Sequence, residues 1–246
     1  MRSFTLTVLI LAASICALAQ GDPFRRQLLP TGKLRVGLNA GNPLTSRVGT
    51  DIGHHLAQQL GAEVIFIEYP TPGAVTDAVG REWDIAFVAA DPERMAAIAF
   101  TPPYVELDAT YLVRSDSHIQ SIADVDRPGV RIATAATAAY TLVLKRDIRR
   151  ATLVFLSSDE ALTGLQAGTV TAIAGLRDTL LRSASRVPGS QVLTDNITRA
   201  QQAIAVPKEN AAALAYLTSY LADLKQSGFI ADAVRKTGVA GASVVP

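Results

Sequence analysis

The sequence predicts an α/β protein of two lobes, each built on a mainly parallel sheet flanked by helices. Three observations carry this. Short apolar strands alternate with amphipathic helices from Lys33 onward, the mark of βαβ units and parallel pairing. The alternation then runs out into a longer strand, "DATYLVRSDS" (Asp108–Ser117), and starts again, giving two successive α/β sets, each too small to be the whole chain. Composition agrees: 49% hydrophobic residues but only 6% aromatic ones mean a core of alanine, valine and leucine, and argue against disorder.

The elements follow in order. "KLRVGLN" (Lys33–Asn39) reads as the first strand. After a Gly/Pro/Asn loop, "TDIGHHLAQQLG" is an amphipathic helix, with Ile52, Leu56 and Leu60 at i+4 spacing and Gly61 as its stop. "EVIFIEY" is a strand, "PGAVTDAVG" a short helix with Pro72 in its first turn, and "DIAFV" a strand. "DPERMAAIAF" reads as a helix with Asp91 as N-cap and Pro92 at its first position. In the second set, "GVRIATA", "ATLVFL" and "VTAIAG" are strands. They alternate with helices at "TAAYTLVLKRD", at "SSDEALTGLQAG" and at "RDTLLRSASR". Ser157 and Glu160 are spaced as a capping box. "QQAIAVPK" is extended, and "ENAAALAYLTSYLADLKQSG" is a long helix with Leu214, Leu217, Leu221 and Leu224 on one face, closed by Gly228. Ligands of open α/β sheets sit beyond the carboxyl ends of the strands, so two facing lobes would enclose a cleft.

The first twenty residues, "MRSFTLTVLILAASICALAQ", have one basic residue, an apolar stretch and Ala17-Leu18-Ala19 as an A-x-A site. This is a secretory signal over residues 1–19, with cleavage expected before Gln20 and the mature protein exported and soluble. Ile15, just before Cys16, is bulky where a lipidation site wants a small residue. Cleavage removes Arg2, so the 22 acidic residues meet as many basic ones. The near-zero charge offers no basic surface for nucleic acid. Cys16 is the only cysteine, so the mature chain has neither a disulfide nor a Cys-based zinc site, and no metal or cofactor is expected.

One placement is odd. Arg94 falls where the "DPER" helix begins, although a helix start already carries partial positive charge. Spacing alone leaves a salt bridge to Asp91 or Glu93, simple solvation, or a bound anion that would resolve the conflict through paired charge-assisted hydrogen bonds.

"LRVGLN", "GTDIGHHLAQQLG", "WDIAFVAADPERMAAIAFTPPY", "DVDRPGVRIATAATAAY", "EALTGLQAGTVTAIAG" and "AIAVPK" stand in an order that resembles the bacterial extracellular solute-binding proteins of family 3, the polar amino-acid type. The similarity spans nearly all of residues 33–240. It implies a type II periplasmic-binding-protein-like fold with two crossing strands, near Tyr111–Arg114 and Gln202–Val206. Lobe one would be residues 24–111 plus 204–246, and lobe two 112–203. It also implies a periplasmic, monomeric binding component that hands a small carboxylate-bearing solute, an amino acid or an organic acid, to an ABC permease in the inner membrane. By the resemblance Arg94 pairs with the solute carboxylate, and Thr137 in "ATAATAAY" holds it from the other lobe, a role compatible with capping a helix. Further ligand-facing positions fall on Asn42, Ala89 and Asp91.

The sequence departs from the family pattern in three places. The loop "NAGNPLTSR", with Asn42-Pro43-Leu44, lacks the usual aromatic ring. Val88-Ala89-Ala90 stand where hydroxyl-bearing residues serve the α-amino group, and the segment is about two residues short. Leu176 occupies the place of an aspartate that pairs with the α-ammonium, beside Arg177, which would favour a second anionic group if it faced the cleft. Asp178 would take over the ammonium after a shift of one turn. An unpaired buried ammonium is costly, so an organic acid rivals an amino acid as ligand.

Enzyme chemistry has few candidates. His54 and His55 are adjacent rather than at i, i+4, His118 stands alone, and no G-x-S-x-G or P-loop occurs. The same fold also hosts periplasmic dehydratases of small carboxylic acids. Asp91, Glu106 and Asp178 are the acids such chemistry would draw on, and a ligand-loaded sensory protein is a third class.

Overall fold

The computed structural model describes residues 22–246; the signal segment read from residues 1–19 lies outside them. A short helix, α1 (Pro23–Leu28), precedes β1 (Lys33–Asn39). Then come α2 (Pro43–Leu60), β2 (Glu63–Tyr69), α3 (Pro72–Asp77) and β3 (Ile85–Ala89). A single 3-10 turn (Arg94–Ala96) leads to β4 (Ile98–Phe100) and the long β5 (Val105–Arg114). The second set is β6 (Arg131–Thr134), α4 (Ala139–Asp147), β7 (Thr152–Phe155), α5 (Ser158–Ala167), β8 (Ala172–Leu176) and α6 (Arg177–Ala184). The chain closes with β9 (Ser190–Val192), β10 (Thr198–Pro207), α7 (Ala211–Gln226), α8 (Phe229–Thr237) and β11 (Ala242–Val244).

The strands run in the order β2-β1-β3-β10-β5-β8-β6-β7. β2, β1 and β3 are parallel, as are β8, β6 and β7. The two parallel sets are joined by β10 and β5, which pair antiparallel with each other and with their outer neighbours. β5 does this along its length: Val105 to Ala109 face β10, and Ala109 to Val113 face β8. A long strand cannot turn its back on either set, so these two strands are the crossings between the halves.

Each half has its own apolar core. In the first, β1 contributes Leu34, Val36 and Leu38, and α2 lays Leu44, Val48, Ile52 and Leu56 over them. Each such residue gains about 1.5–3 kcal/mol on burial. α2 lies this close because Gly49 has no side chain: a Cβ there would come within 2.7 Å of the Phe87 ring. In the second half, Tyr111, Val113, Ile132 and Leu144 pack on one face, while Leu162, Leu165 and Leu180 pack on the other. Among the described residues no helix is long and apolar enough to cross a membrane.

Two differences from the sequence reading bear on the site. The loop after β1 is shorter than "NAGNPLTSR" suggested, because α2 begins at Pro43; Asn42 caps it, its Oδ1 accepting the Thr45 N–H at 3.2 Å. Conversely, "DPERMAAIAF" is not an α-helix. Ile98 to Phe100 are taken into the sheet opposite Ala205 to Pro207, which leaves only one 3-10 turn after Asp91. The case for Arg94 as a residue at a helix start therefore falls. The C-terminal helix stops near Gly228, which adopts a φ of 80°, but α8 follows it directly.

Candidate functional site

The carboxyl ends of both parallel sets open on a common cleft of about 540 Å3. Asn39, Ala89, Thr134 and Leu176 are the last residues of β1, β3, β6 and β8, and all four line it. Asn42 and Gln202 complete its floor. The loop Ala135–Ala138, Tyr140, Leu162 and Leu180 form much of the opposite wall. Burial pushes the Tyr140 hydroxyl up to about 12, so it stays protonated at neutral pH.

Arg94 is buried, at 6% exposure, and is the only buried Lys or Arg among the described residues. Its Nη1 donates to the Ala89 carbonyl at 3.1 Å and its Nη2 to the Thr137 carbonyl at 2.6 Å. Arg94 itself is outside the cleft lining, whereas both residues that it grips are in it. Burial holds its pKa below the ordinary guanidinium value, partly offset by the nearby charges of Asp91 and Glu93. Among the described residues it makes no ion pair, and a cation this buried is normally paired.

Thr137 is exposed at the tip of its loop. The loop rests on the first turn of α3, where a Cβ on Gly73 would meet Thr137 Cγ2 at 2.9 Å. The two halves therefore touch across the cleft mouth through a guanidinium–carbonyl bond and a glycine contact. Thr137 does not cap α4; Ala138 holds that place without a side-chain bond.

Three carboxamides crowd the floor, all nearly inaccessible. Asn39 Oδ1 accepts the Gly41 N–H at 3.2 Å, and Asn42 Oδ1 is held by Thr45. Gln202 Oε1 accepts from Thr45 Oγ1 at 3.0 Å, and its Nε2 donates to the Ala200 carbonyl at 3.2 Å. Sequence reasoning did not single out Asn39 or Gln202. Gln202 carries no local signal, because its partner Thr45 is 157 positions away in the chain.

Other expected site residues are elsewhere. Asp91 is buried, but its Oδ1 accepts the Glu93 N–H at 2.8 Å and it does not line the cleft; the carboxylate is used in shaping the turn. Arg177 does not face the cleft. Its Nη1 donates to the Leu193 carbonyl at 2.9 Å, and its Nη2 to Thr194 at 2.8 Å and Asn196 Oδ1 at 2.6 Å, pinning the segment after β9. Asp178 pairs with Arg182 and accepts the Ala240 N–H, beside a crevice of about 10 Å3 that is too small for a solute. Glu106 faces Gln201 and Arg199. His55 Nδ1 lies 2.8 Å from the Tyr220 hydroxyl, and His54 packs against Phe66.

Two α/β halves joined by two crossing strands, with strand ends meeting at a cleft, define the type II periplasmic-binding-protein fold. The chain belongs to the bacterial extracellular solute-binding proteins, family 3, whose model matches residues 48–238. It is similar to the ABC transporter arginine-binding protein 1 of Escherichia coli K12, at 24% identity over 213 residues, covering 80% of this chain and 86% of that one. Among solved structures, a mutant of ArgBP from T. maritima superposes with a TM-score of 0.71 at 21% identity, covering 87% of this chain and 98% of that one. The ancestral amino acid-binding protein AncCDT-1, a precursor of cyclohexadienyl dehydratase, gives a TM-score of 0.69 at 22% identity, covering 85% and 97%.

Proposed function

We propose that this solute-binding protein is the exported, periplasmic component of an ABC importer and closes around one small carboxylate-bearing solute. Lobe one is residues 24–111 with 204–246, and lobe two is 112–203. The observation that carries the carboxylate is Arg94: a buried cation that, among the described residues, pairs with no carboxylate and bonds to two carbonyls at the cleft edge. Its remaining N–H donors suit a carboxylate, which would supply the charge that burial now opposes. Thr137 and its loop bring the second lobe to the same place. A solute that touches both lobes favours the closed form by its differential contacts, and closure is what a permease would read.

A dehydratase-like role has less support. None of Asp91, Glu106 and Asp178 lines the cleft; of its lining the Tyr140 hydroxyl, protonated at neutral pH, could serve as a general acid.

The test is a thermal-shift screen of small carboxylic acids against the protein and its Arg94→Ala variant, since binding raises the melting temperature by mass action. Acids that stabilise the parent should no longer do so in the variant, with circular dichroism unchanged. Equal stabilisation of both proteins would overturn the assignment.

A further inference from the structure

We infer that the cleft selects an amine-free acid, a hydroxy or keto acid with an aliphatic body, and rejects the α-amino acid of the same skeleton. This rests on the carboxylate reading of Arg94 and names the rest of the solute. Hydrogen-bond polarity makes the selection. Each carboxamide oxygen of the floor already accepts a hydrogen bond within the protein: Asn39 from Gly41, Asn42 from Thr45, Gln202 from Thr45. These partners fix the amide orientations, because a flipped group would set nitrogen against an N–H donor, and for Gln202 oxygen against the Ala200 carbonyl. Among the described residues the donors of these groups left without a partner are the Nδ2 groups of Asn39 and Asn42 and the second hydrogen of Gln202 Nε2. All three residues are at least nine-tenths buried and line the cleft.

Such a floor offers donors and wants acceptors. A keto oxygen, or a hydroxyl accepting through its lone pairs, satisfies it. An ammonium brings more donors to a surface of donors. Among the described residues no Asp or Glu lines the cleft to neutralise that charge. Two hydroxyls of the lining are already committed: Thr134 Oγ1 lies 2.6 Å from Thr141 Oγ1, and Ser157 Oγ donates to Glu160 at 2.6 Å. Neutral oxygens that remain do not compensate a buried cation. Leu162, Leu176 and Leu180 supply apolar wall for an aliphatic body.

The experiment is calorimetric titration of matched skeletons: L-leucine, 2-hydroxy-4-methylpentanoate, 4-methyl-2-oxopentanoate and the carboxyl-free 3-methylbutan-1-ol, with the corresponding valine and alanine series. The hydroxy or keto acid should bind at least about tenfold more tightly than the amino acid of its series, the scale on which unmatched buried polar groups discriminate. Asn39→Asp keeps the oxygen that accepts from Gly41 and replaces the unpartnered NH2 by an anionic acceptor. It should reverse the preference toward the amino acid. Amino acids binding as tightly as their hydroxy and keto analogues, no binding by any acid, or an unchanged preference in Asn39→Asp would overturn the inference. Failure of the carboxylate reading looks different: the alcohol would then bind as well as the acids, or Arg94→Ala would bind them normally.

Discussion

Gly73→Ala should strengthen the fold and weaken solute binding at once. Gly73 is the second residue of α3 and lacks a positive φ, so alanine fits its backbone and gains about 0.5–1 kcal/mol of helix stability, a rise in melting temperature of about 1–4 °C. Across the cleft mouth the new methyl would stand 2.9 Å from Thr137 Cγ2 and 3.3 Å from Thr137 Cβ. Carbon atoms prefer about 3.5–4.0 Å, so the closed arrangement must give way or shift the loop. Overpacking of this kind costs about 1–3 kcal/mol. The open form does not carry that cost, so it appears as a solute affinity about 5- to 150-fold weaker. Adding Thr137→Ser removes the clashing methyl, keeps the hydroxyl and should restore most of the loss, as a double-mutant cycle would show. Melting without solute gives the first effect, and titration with the tightest-binding acid of the matched series gives the second. Unchanged affinity in Gly73→Ala, or a loss that Thr137→Ser does not recover, would refute the idea that these surfaces meet in the closed, solute-bound form.

Two further outcomes concern stability. Asp84, 2% exposed, accepts the Arg35 backbone N–H at 2.9 Å and the guanidinium Nη2 at 2.6 Å, which holds the Arg35 pKa above its ordinary value; Asp84→Ala should cost about 3 kcal/mol in urea unfolding. A loss under about 1 kcal/mol would show that the bridge is replaced by water. Asp126 accepts the backbone N–H groups of Ala151, Arg150 and Arg149, which hold its carboxyl below the usual carboxylate range. Its contribution is therefore present above the unfolded value of about 3.9 and lost as pH falls through the lower folded value. Asp126→Asn should flatten the acid limb of a melting-temperature profile below about pH 4, and an unchanged limb would count against it.

The identical signal of a polar residue followed by proline had opposite outcomes at two places. Asn42-Pro43 starts an eighteen-residue helix, and Asp91-Pro92 starts no more than a 3-10 turn. The difference is non-local. The residues after Pro43 keep an apolar face for the sheet, while Ile98 to Phe100 are claimed by β10 from more than a hundred positions away. Local pattern did suffice where the cause was local: β1 spans Lys33–Asn39 as read, and Ser157 and Glu160 form their capping box. The cleft divides likewise. Arg94 and Thr137, picked out by the family resemblance, meet through the Thr137 carbonyl. The carboxamide floor was not, since Gln202 acquires its orientation from Thr45 on another element. Arg177 misled because a cation after a strand has no sequence mark for which carbonyls it will find.

Arg94 reaches the second half through a main-chain oxygen, and this has an evolutionary consequence. Every amino acid at position 137 brings the same carbonyl, so mutation of that side chain cannot delete the contact. Descendants of such a protein can therefore change the side chain at 137 and keep the guanidinium–carbonyl bond, one of the two contacts between the halves at the cleft mouth. Variation at position 137 is therefore bounded by the space that Gly73 leaves for the side chain, while the bond to Arg94 does not depend on which side chain fills it.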